Sequence, residues 1–295
     1  MSNRNVILTM IYRARYEFVE TFLSSLKRTG YEGQVVAFTT GMERETEDQL
    51  RRNGVRVVPF RYLGRSPRQR LAWPWPLWRS IFASPIPQAA KEILAHAVFH
   101  LFYRRHLLYL QFLREHRHDY DQVFLTDCRD VYFQAGPFSW NPPKGVHFFL
   151  EEETHRIGQC PHNSRWIRSQ FGQPVLDELA ALAVSCAGTT FGDIESIMEY
   201  LSTMVALSMK ALSLREFDGD QGIHNYILRK GLLQNAAAHN NRSGPVMTLG
   251  AMRMANLRLN EKGLVINEAG QIVPVLHQYD RIPELKQRLR QPLAG

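Results

Sequence analysis

The sequence predicts an α/β fold in which helices flank a mostly parallel central sheet within a single domain. Strand and helix patterns alternate over the first sixty residues, as is typical of parallel strands joined by crossover helices. The predicted strands are continuously apolar, which is expected where helices cover both faces of a sheet. The chain has 295 residues, of which 44% are hydrophobic, so it is long enough to bury such a core and does not resemble a disordered protein.

The first predicted strand covers Asn5–Tyr12 and is followed by apolar residues at helical spacing from Phe18 to Leu26, ending at Gly30. Two further strands, 34–40 and 55–60, flank a polar helix over 43–53. This β-α-β-α-β order is the basis of the fold prediction.

Residues 61–90 form a basic insertion rich in tryptophan and proline, predicted to be a loop or a broken helix. Our first interpretation of the segment is a flap that packs its tryptophans onto the core. The second is a membrane-surface contact, because tryptophan and arginine suit the headgroup region. The third is a surface that binds a sugar acceptor, because sugars stack on aromatic rings. A helix predicted over 91–116 contains Arg104, Arg105 and His106, which interrupt its apolar run and exclude a membrane span.

The remaining predicted elements are assigned by apolar runs and helical spacing. They are strands at 122–126, 131–134, 146–150 and 272–277, and helices at 174–184, 193–213, 220–230 and 283–290.

The positive charge is concentrated in one part of the chain. The formal net charge is +8, and the segment 61–120 alone has ten Lys or Arg residues against three acids, a net +7. Such a segment predicts an anionic partner, with phosphate on a nucleotide, a lipid or a nucleic acid as the candidates. Three cysteines without a Cys-x-x-Cys pair argue against disulfides and zinc, and with no signal peptide at the start they predict a cytoplasmic protein. His155, Cys160 and His162 match no tetrahedral zinc spacing and are interpreted as loop residues.

The most informative motif is a pair of acids, Asp127 and Asp130, directly after the strand 122–126. Ligands bind at the carboxyl ends of strands in open α/β sheets. Carboxylates there would repel a polyanion unless a divalent cation lies between them, and Mg²⁺ or Mn²⁺ is typically held by one or two carboxylates plus substrate phosphates. The alternative is that the two acids merely end the strand in a turn.

The strand, acidic motif and following strand resemble the D-x-D region of the GT-A glycosyltransferases. Three more stretches resemble that family in the same order: the small residues 185–192 with Gly188, the D-Q-x-x-x-N segment at 220–225, and the C-terminal His277. Each also has a structural alternative, namely a turn at Gly188, an N-cap at Asp220 and a structural role for His277. Cys128 stands where a strict D-x-D has its first acid. Two roles therefore stay open for Asp127, namely a contact to the metal or a contact to ribose or sugar.

The resemblance implies a set of site residues. Asp130 and His277 would hold the metal, Asp220 would face the sugar, and Glu152, within the run 151–153, would be a general base for the acceptor hydroxyl. The donor would be bound by Thr9, Tyr12, Arg105, Asp127, Gly188 and Gln221, with Arg104 as the competing choice for Arg105.

The function implied by the resemblance is a metal-dependent glycosyltransferase that uses Mn²⁺ or Mg²⁺ and a nucleotide-diphosphate sugar, UDP- or GDP-linked. Its acceptor would be a glycan or a lipid-linked hydroxyl in polysaccharide synthesis, on the cytoplasmic side, peripheral to the inner face of the membrane. Residues 1–134 would bind the nucleotide sugar, residues 135–282 would form the acceptor and catalytic half, and residues 283–295 a basic tail. The Asp220-Gln221 pair leans toward a retaining reaction.

Two alternatives rank lower. A sugar-nucleotide pyrophosphorylase would need a glycine-rich loop after the first strand, where this chain has Tyr12 to Tyr16 without a glycine. A nucleic-acid-binding protein would explain the charge, but the chain has no recognisable recognition module and would not need the acidic strand end.

Overall fold

The computed structural model describes residues 4–62, 75–214 and 219–290. The chain is an α/β protein with a mixed, mostly parallel seven-stranded central sheet flanked by helices. The strands are β1 Asn5–Tyr12, β2 Gln34–Thr40, β3 Val55–Pro59, β4 Gln122–Thr126, β5 Val131–Phe133, β6 Val146–Leu150, β7 Ser185–Asp193, β8 Ala236–His239, β9 Val246–Thr248, β10 Arg258–Leu259, β11 Val265–Ile266 and β12 Val275–His277. The helices are α1 Glu17–Arg28, α2 Arg44–Arg52, α3 Trp75–Ala83, α4 Gln88–Val98, α5 Leu101–Glu115, α6 Pro161–Phe171, α7 Gln173–Leu179, α8 Ile194–Lys210, α9 Asp220–Arg229 and α10 Pro283–Arg290.

The central sheet has the strand order β3-β2-β1-β4-β7-β6-β8. Every neighbouring pair is parallel except those that β7 makes with β4 and β6. A smaller sheet has the order β5-β12-β9, with β12 antiparallel to β5 and parallel to β9. The chain passes from the large sheet to the small one between β4 and β5, within only four residues.

The middle of the central sheet is covered on both faces, which explains why β1 and β4 are continuously apolar. Successive residues of β1 point to opposite sides: Val6 and Leu8 join one hydrophobic cluster with residues of α5, α8 and α9, and Ile7 and Ile11 join another with residues of α1. The predicted strand bounds at β1, β2, β4 and β6 are confirmed.

The predicted helix over 91–116 is wrong in one respect, because two helices, α4 and α5, occupy this part of the chain. Phe99 and His100 between them have extended backbone torsions, and the ring of Phe99 is buried against Phe82 and Tyr103. Inserting Phe99 into the core therefore ends one helix and begins the next.

Two regions differ from the sequence prediction. Strands β8 to β11 were not predicted, and the strand expected over 272–277 begins at Val275. The other region is 161–193. Helix α6 was not predicted, the helix expected over 174–184 ends at Leu179, and residues 185–193 form the central strand β7. Serine, cysteine, glycine and threonine in β7 lack the bulky apolar pattern that predicts a strand, although the strand is buried along most of its length.

The tryptophan-rich segment is helical where the structure describes it, and residues 63–74 lie outside the described residues. Trp75 is buried and donates its indole N–H to the carbonyl of Ala211 at 2.8 Å, and Trp78 packs against the same core. This agrees with the flap interpretation for the described part. Among the helices that the structure describes, none combines the length and hydropathy needed to cross a bilayer.

Candidate metal centre and its supporting contacts

The two acids of the motif lie at the two ends of the turn between the sheets. Asp127 directly follows β4, and Asp130 directly precedes β5. Because the chain turns between them, the D-x-x-D spacing brings both carboxylates to one side of the turn. His277 is the last residue of β12 and pairs with Val131 of β5 and Thr248 of β9. Pairing of the small sheet therefore delivers the imidazole to the turn.

These three side chains form a group that could hold a metal ion. Nε2 of His277 lies 3.9 Å from Oδ2 of Asp127 and 3.8 Å from Oδ1 of Asp130. One ligand atom from each of the three lies within 4.8 Å of the others. The side chain of Asp127 is 39% exposed and that of His277 only 1% exposed, so the group is open to solvent on the Asp127 side.

The environment of these residues fits a cation. Both ring nitrogens of His277 are buried, and neither has a hydrogen-bond partner in the structure. Such unpartnered groups are costly to bury, and a metal ion would satisfy one of them. Burial raises the pKa of Asp130, and the neighbouring carboxylate of Asp127 raises it further, while His277 lowers it. A cation between the two carboxylates would remove that repulsion.

Gly188 lies directly against the side chains of Asp127 and His277. A β-carbon on Gly188 would lie 2.6 Å from Cε1 of His277, 2.7 Å from its Nε2 and 2.7 Å from Oδ2 of Asp127. The Gly188 carbonyl also accepts the backbone N–H of Asp127 at 2.9 Å. The small residue that the sequence predicted for close approach thus keeps the space between two of the candidate ligands free.

Cys128, between the two acids, points away from this group. It is buried in the hydrophobic cluster beneath β1, and burial raises the pKa of its thiol to about 12. The thiol is therefore a core side chain, and the two carboxylates of the candidate group are those of Asp127 and Asp130.

Arg105, and not Arg104, reaches the acidic turn. Nη1 of Arg105 donates to Oδ1 of Asp127 at 2.9 Å, and Nη2 donates to Oδ2 of Asp220 at 2.6 Å. Arg104 lies on another side of α5, with its guanidinium carbon 5.5 Å from the centre of the Phe60 ring. Burial opposes the charge of Arg105, but the two carboxylates outweigh it and raise its pKa above the ordinary value. With both terminal nitrogens engaged, Arg105 orients Asp127.

Asp220 is the first residue of α9, and the N-cap residue is Gly219, so the N-cap alternative for Asp220 is wrong. The residue is 2% exposed, and Oδ2 accepts from Arg105 and from Nε2 of His106 at 3.1 Å. Burial alone would raise the pKa of Asp220, yet Arg105 and His106 hold it below the ordinary value. The structure thus ties Asp220 to Asp127 through Arg105. The prediction that it faces a sugar stays a prediction.

The rest of the D-Q-x-x-x-N segment holds β7 in place. Asn225 accepts the backbone N–H of Ser185 at 2.8 Å and donates to the Ser185 carbonyl at 2.8 Å. Gln221 accepts the backbone N–H of Ala187 at 3.3 Å and donates to Asn163 at 3.1 Å. Helix α9 therefore fixes the strand that carries Gly188, and the donor contact predicted for Gln221 stays a prediction.

The three glutamates after β6 all have partners. Glu152, the predicted general base, accepts from Nη2 of Arg242 at 2.7 Å and from Asn241 at 3.1 Å. Glu151 bonds to His155 at 2.6 Å, and Glu153 accepts from Asn240 at 2.6 Å. The ion pair with Arg242 does not favour proton abstraction by Glu152, whose predicted role stays untested.

The predicted base-binding residues at the end of β1 differ in their surroundings. Thr9 is buried, whereas Tyr12 is half-buried at the strand end, with its ring 6.0 Å from that of Tyr62. Tyr12 is therefore the better placed of the two to meet a ligand.

Two further basic residues of the segment 61–120 pair with acids in the structure. Arg114 pairs with Glu92 at 2.8 Å, and Arg117 pairs with Glu195 at 2.7 Å. Arg65, Arg68 and Arg70 lie outside the described residues. The anionic partner predicted from the net charge thus stays a prediction.

Three residues that support the site are not among those predicted from the sequence. His106 bonds to Asp220, Asn163 bonds to Gln221, and the carboxylate of Asp280 is near enough to Asp130 to raise its pKa. His106 follows Arg105 directly, so the same helical segment was the available signal for it. Asn163 has no such signal, because α6 itself was not predicted.

The sequence matches no protein-family model, and a search of curated proteins finds no significant relative.

Proposed function

We propose that this chain is a metal-dependent glycosyltransferase that moves a sugar from a nucleotide-diphosphate sugar to a hydroxyl acceptor. The observation that supports the proposal most is the group of Asp127, Asp130 and His277 at the carboxyl end of β4, with Gly188 leaving space beside it. This edge of an open α/β sheet is where such folds bind ligands. A small, oxygen-rich site that is open on one side suits a metal shared with a diphosphate.

Two carboxylates and one imidazole favour Mn²⁺ or Mg²⁺ over Ca²⁺, which takes more oxygen ligands. When bound, the metal would neutralise charge on the diphosphate leaving group as a Lewis acid. Asp127, Asp130 and His277 would hold it, and Arg105 would keep Oδ1 of Asp127 engaged so that Oδ2 faces His277.

The donor would approach over Gly188, since no side chain there blocks access to the metal ligands. Arg105 and Asp220 are buried behind the centre, and we propose that they position Asp127 rather than touch the phosphate. The acceptor would enter from the side of residues 151–153, as the sequence analysis expects. A glycan and a lipid-linked acceptor both fit this proposal.

The first test is a thermal-shift series with UDP, GDP, CDP and dTDP, each with and without Mn²⁺. A ligand that binds only the folded state raises its stability by about 2.7 kcal/mol at a hundred times its dissociation constant. We expect one nucleotide to stabilise the protein only together with the metal. Stabilisation by none of the eight conditions would contradict the proposal.

The second test uses the nucleotide-diphosphate sugar that corresponds to the stabilising nucleotide. It measures the metal-dependent rate at which Asp130→Ala hydrolyses this donor or transfers its sugar. Asp119→Ala is the matched control, because Asp119 is an exposed carboxylate that pairs with His116 in the loop before β4. We expect the first variant to lose turnover and the control to retain it. Unchanged metal-dependent turnover by Asp130→Ala would overturn the proposal. Turnover of a nucleoside triphosphate with a sugar phosphate would instead identify a pyrophosphorylase.

A further inference from the structure

Outside the candidate metal centre, the structure brings together a second cluster of reactive side chains: Glu151, His155 and Cys160. Glu151 directly follows β6, and Cys160 is the N-cap residue of α6. Nδ1 of His155 lies 2.6 Å from Oε2 of Glu151, and the Cys160 thiol is near enough to His155 to raise its pKa. The imidazole therefore stands between a carboxylate and a thiol, as in sites where a base activates a cysteine.

The surroundings of the Cys160 sulfur favour a negative charge. Nδ2 of Asn163 donates to it at 3.2 Å, and the backbone N–H groups of His162 and Asn163 at the start of α6 help to lower its pKa. A helix N-terminus carries a partial positive charge that stabilises a thiolate. Among the described residues, His155 is the titratable group that most affects the sulfur, and His155 is itself bonded to Glu151.

The pKa values of the two partners move in opposite directions. Although burial opposes it, hydrogen bonds from His155 and Asn163 lower the pKa of Cys160 to about 6. The bonds to Cys160 and Glu151 raise the pKa of His155 to about 10. This is the pattern of a thiolate paired with an imidazolium.

The other two cysteines provide an internal contrast. Burial raises the pKa of Cys128 to about 12 and raises that of Cys186 well above its ordinary value. Cys160 is 7% exposed, and its neighbours Gly158, Gln159 and His162 are exposed, so its sulfur lies just below the surface.

The cluster does not have the form of a second metal centre. In the part of the chain that the structure describes, the acids, histidines and cysteines that converge closely enough to hold a metal are Asp127, Asp130 and His277. Glu151, His155 and Cys160 do not form such a group in that part of the chain. Proton transfer and thiolate chemistry fit the cluster better.

We propose that Cys160 is a modification site whose thiolate exchanges with low-molecular-weight disulfides of the glutathione disulfide class. The sulfur of Cys160 forms a bond to one sulfur of the reagent, the reagent's disulfide bond breaks, and the other half leaves as a thiolate that is protonated from solvent or from His155. The reagent is the oxidant, so the cysteine gains a mixed disulfide and one small thiol is released. An attacking thiol is most effective when its pKa lies near the ambient pH.

The test incubates the full chain with glutathione disulfide at pH 5 to 9 and follows adduct formation by intact mass and peptide mapping. We expect one adduct, on Cys160, reversed by a thiol reductant, with a half-maximal rate near pH 6. Cys160→Ser should form none. This measurement uses no sugar donor and no metal, so its outcome is independent of the proposed transferase activity.

His155→Gln removes the imidazole, and His162→Gln is its matched control. His162 was predicted to be a loop residue, but it lies in the first turn of α6, where it is exposed and its side chain faces Arg165. At pH 6.5 we expect His155→Gln to react at least about tenfold more slowly, with its midpoint moved toward the ordinary cysteine value of about 8.5. The control should match the parent chain. Glu151→Gln, which keeps the imidazole, should give a smaller shift in the same direction.

Three results would each overturn the proposal. The first is an adduct on Cys128 or Cys186 in place of Cys160. The second is a rate of adduct formation that reaches half its maximum only at or above pH 8 in the parent chain. The third is a His155→Gln variant that remains folded by circular dichroism and reacts as fast as the parent. If His155→Gln does not fold, the midpoint of the parent chain and the shift in Glu151→Gln decide the matter.

Discussion

Gly188 on β7 and His277 on β12 lie so close that a β-carbon on Gly188 would stand 2.6 Å from Cε1 of the imidazole. The imidazole is fully buried, and the residue's backbone lies between β5 and β9, so the ring has little room to move away. The position is therefore sensitive to a single added methyl group.

We expect Gly188→Ala to weaken Mn²⁺ binding at least about tenfold, because the added carbon displaces the ligand atoms of Asp127 and His277. Isothermal titration with Mn²⁺ measures this. Gly136→Ala is the control, since a β-carbon there would meet nothing nearer than 3.8 Å. Equal affinities for the two variants would contradict the assignment of Gly188 to the metal centre.

Arg105→Met should lower the free energy of unfolding by about 3–5 kcal/mol, because it leaves the buried Asp220 carboxylate without its strongest partner. Urea unfolding at pH 7 measures the change. Arg117→Ala, which removes an exposed pair with Glu195, should cost only about 0–1 kcal/mol. The double variant Arg105→Met, Asp220→Asn should recover part of the loss. A loss in Arg105→Met no larger than in Arg117→Ala would rule out this role.

The protein should lose stability as the pH falls from 6.5 toward 4. Burial lowers the pKa of His224 to about 3. Between that pH and about 6.5, the imidazole binds a proton in the unfolded chain but stays neutral in the folded chain. The stabilisation is complete above the ordinary histidine value of about 6.5 and falls as the pH decreases, by about 2 kcal/mol at pH 5 for this residue. His239, whose pKa burial lowers to about 4, adds in the same direction. Urea midpoints across this range test the slope, which His224→Asn should reduce. A flat profile from pH 7 to 5 would be inconsistent with neutral, buried histidines.

Asn225→Ala should destabilise the protein by about 2–4 kcal/mol, since both backbone groups of Ser185 lose their side-chain partner in a buried site. We also expect weaker Mn²⁺ binding, because β7 carries Gly188. Asn53→Ala, at the exposed end of α2, should cost less than about 1 kcal/mol. Differential scanning calorimetry compares the two variants. Equal losses of stability would argue against the proposal that Asn225 holds β7 in place.

The α/β class and several strands were predictable because strands buried on both faces are apolar throughout, as Val123, Phe124 and Leu125 illustrate. Strand β7 was not, since its Ser185, Gly188 and Thr190 are small or polar. Its burial depends on neighbours from β4, β6 and α9, which only the assembled fold supplies.

For the candidate site, the motif located Asp130, His277 and Gly188, and the structure brings them together. Sequence alone left two functions open for Asp127, because its orientation depends on the turn and on Arg105. The ion pair of Glu152 with Arg242 joins residues distant in the chain. Contacts of that kind leave no local pattern for a sequence analysis to find.

The candidate metal centre joins a turn near the middle of the chain to its last strand. During synthesis, β1 to β4 can pair as they emerge, yet the ligand group does not exist until His277 has left the ribosome and β12 has paired with β5. Metal occupancy would therefore distinguish chains in which β12 has paired with β5 from chains in which it has not. A cell that supplies the ion would stabilise only the paired chains.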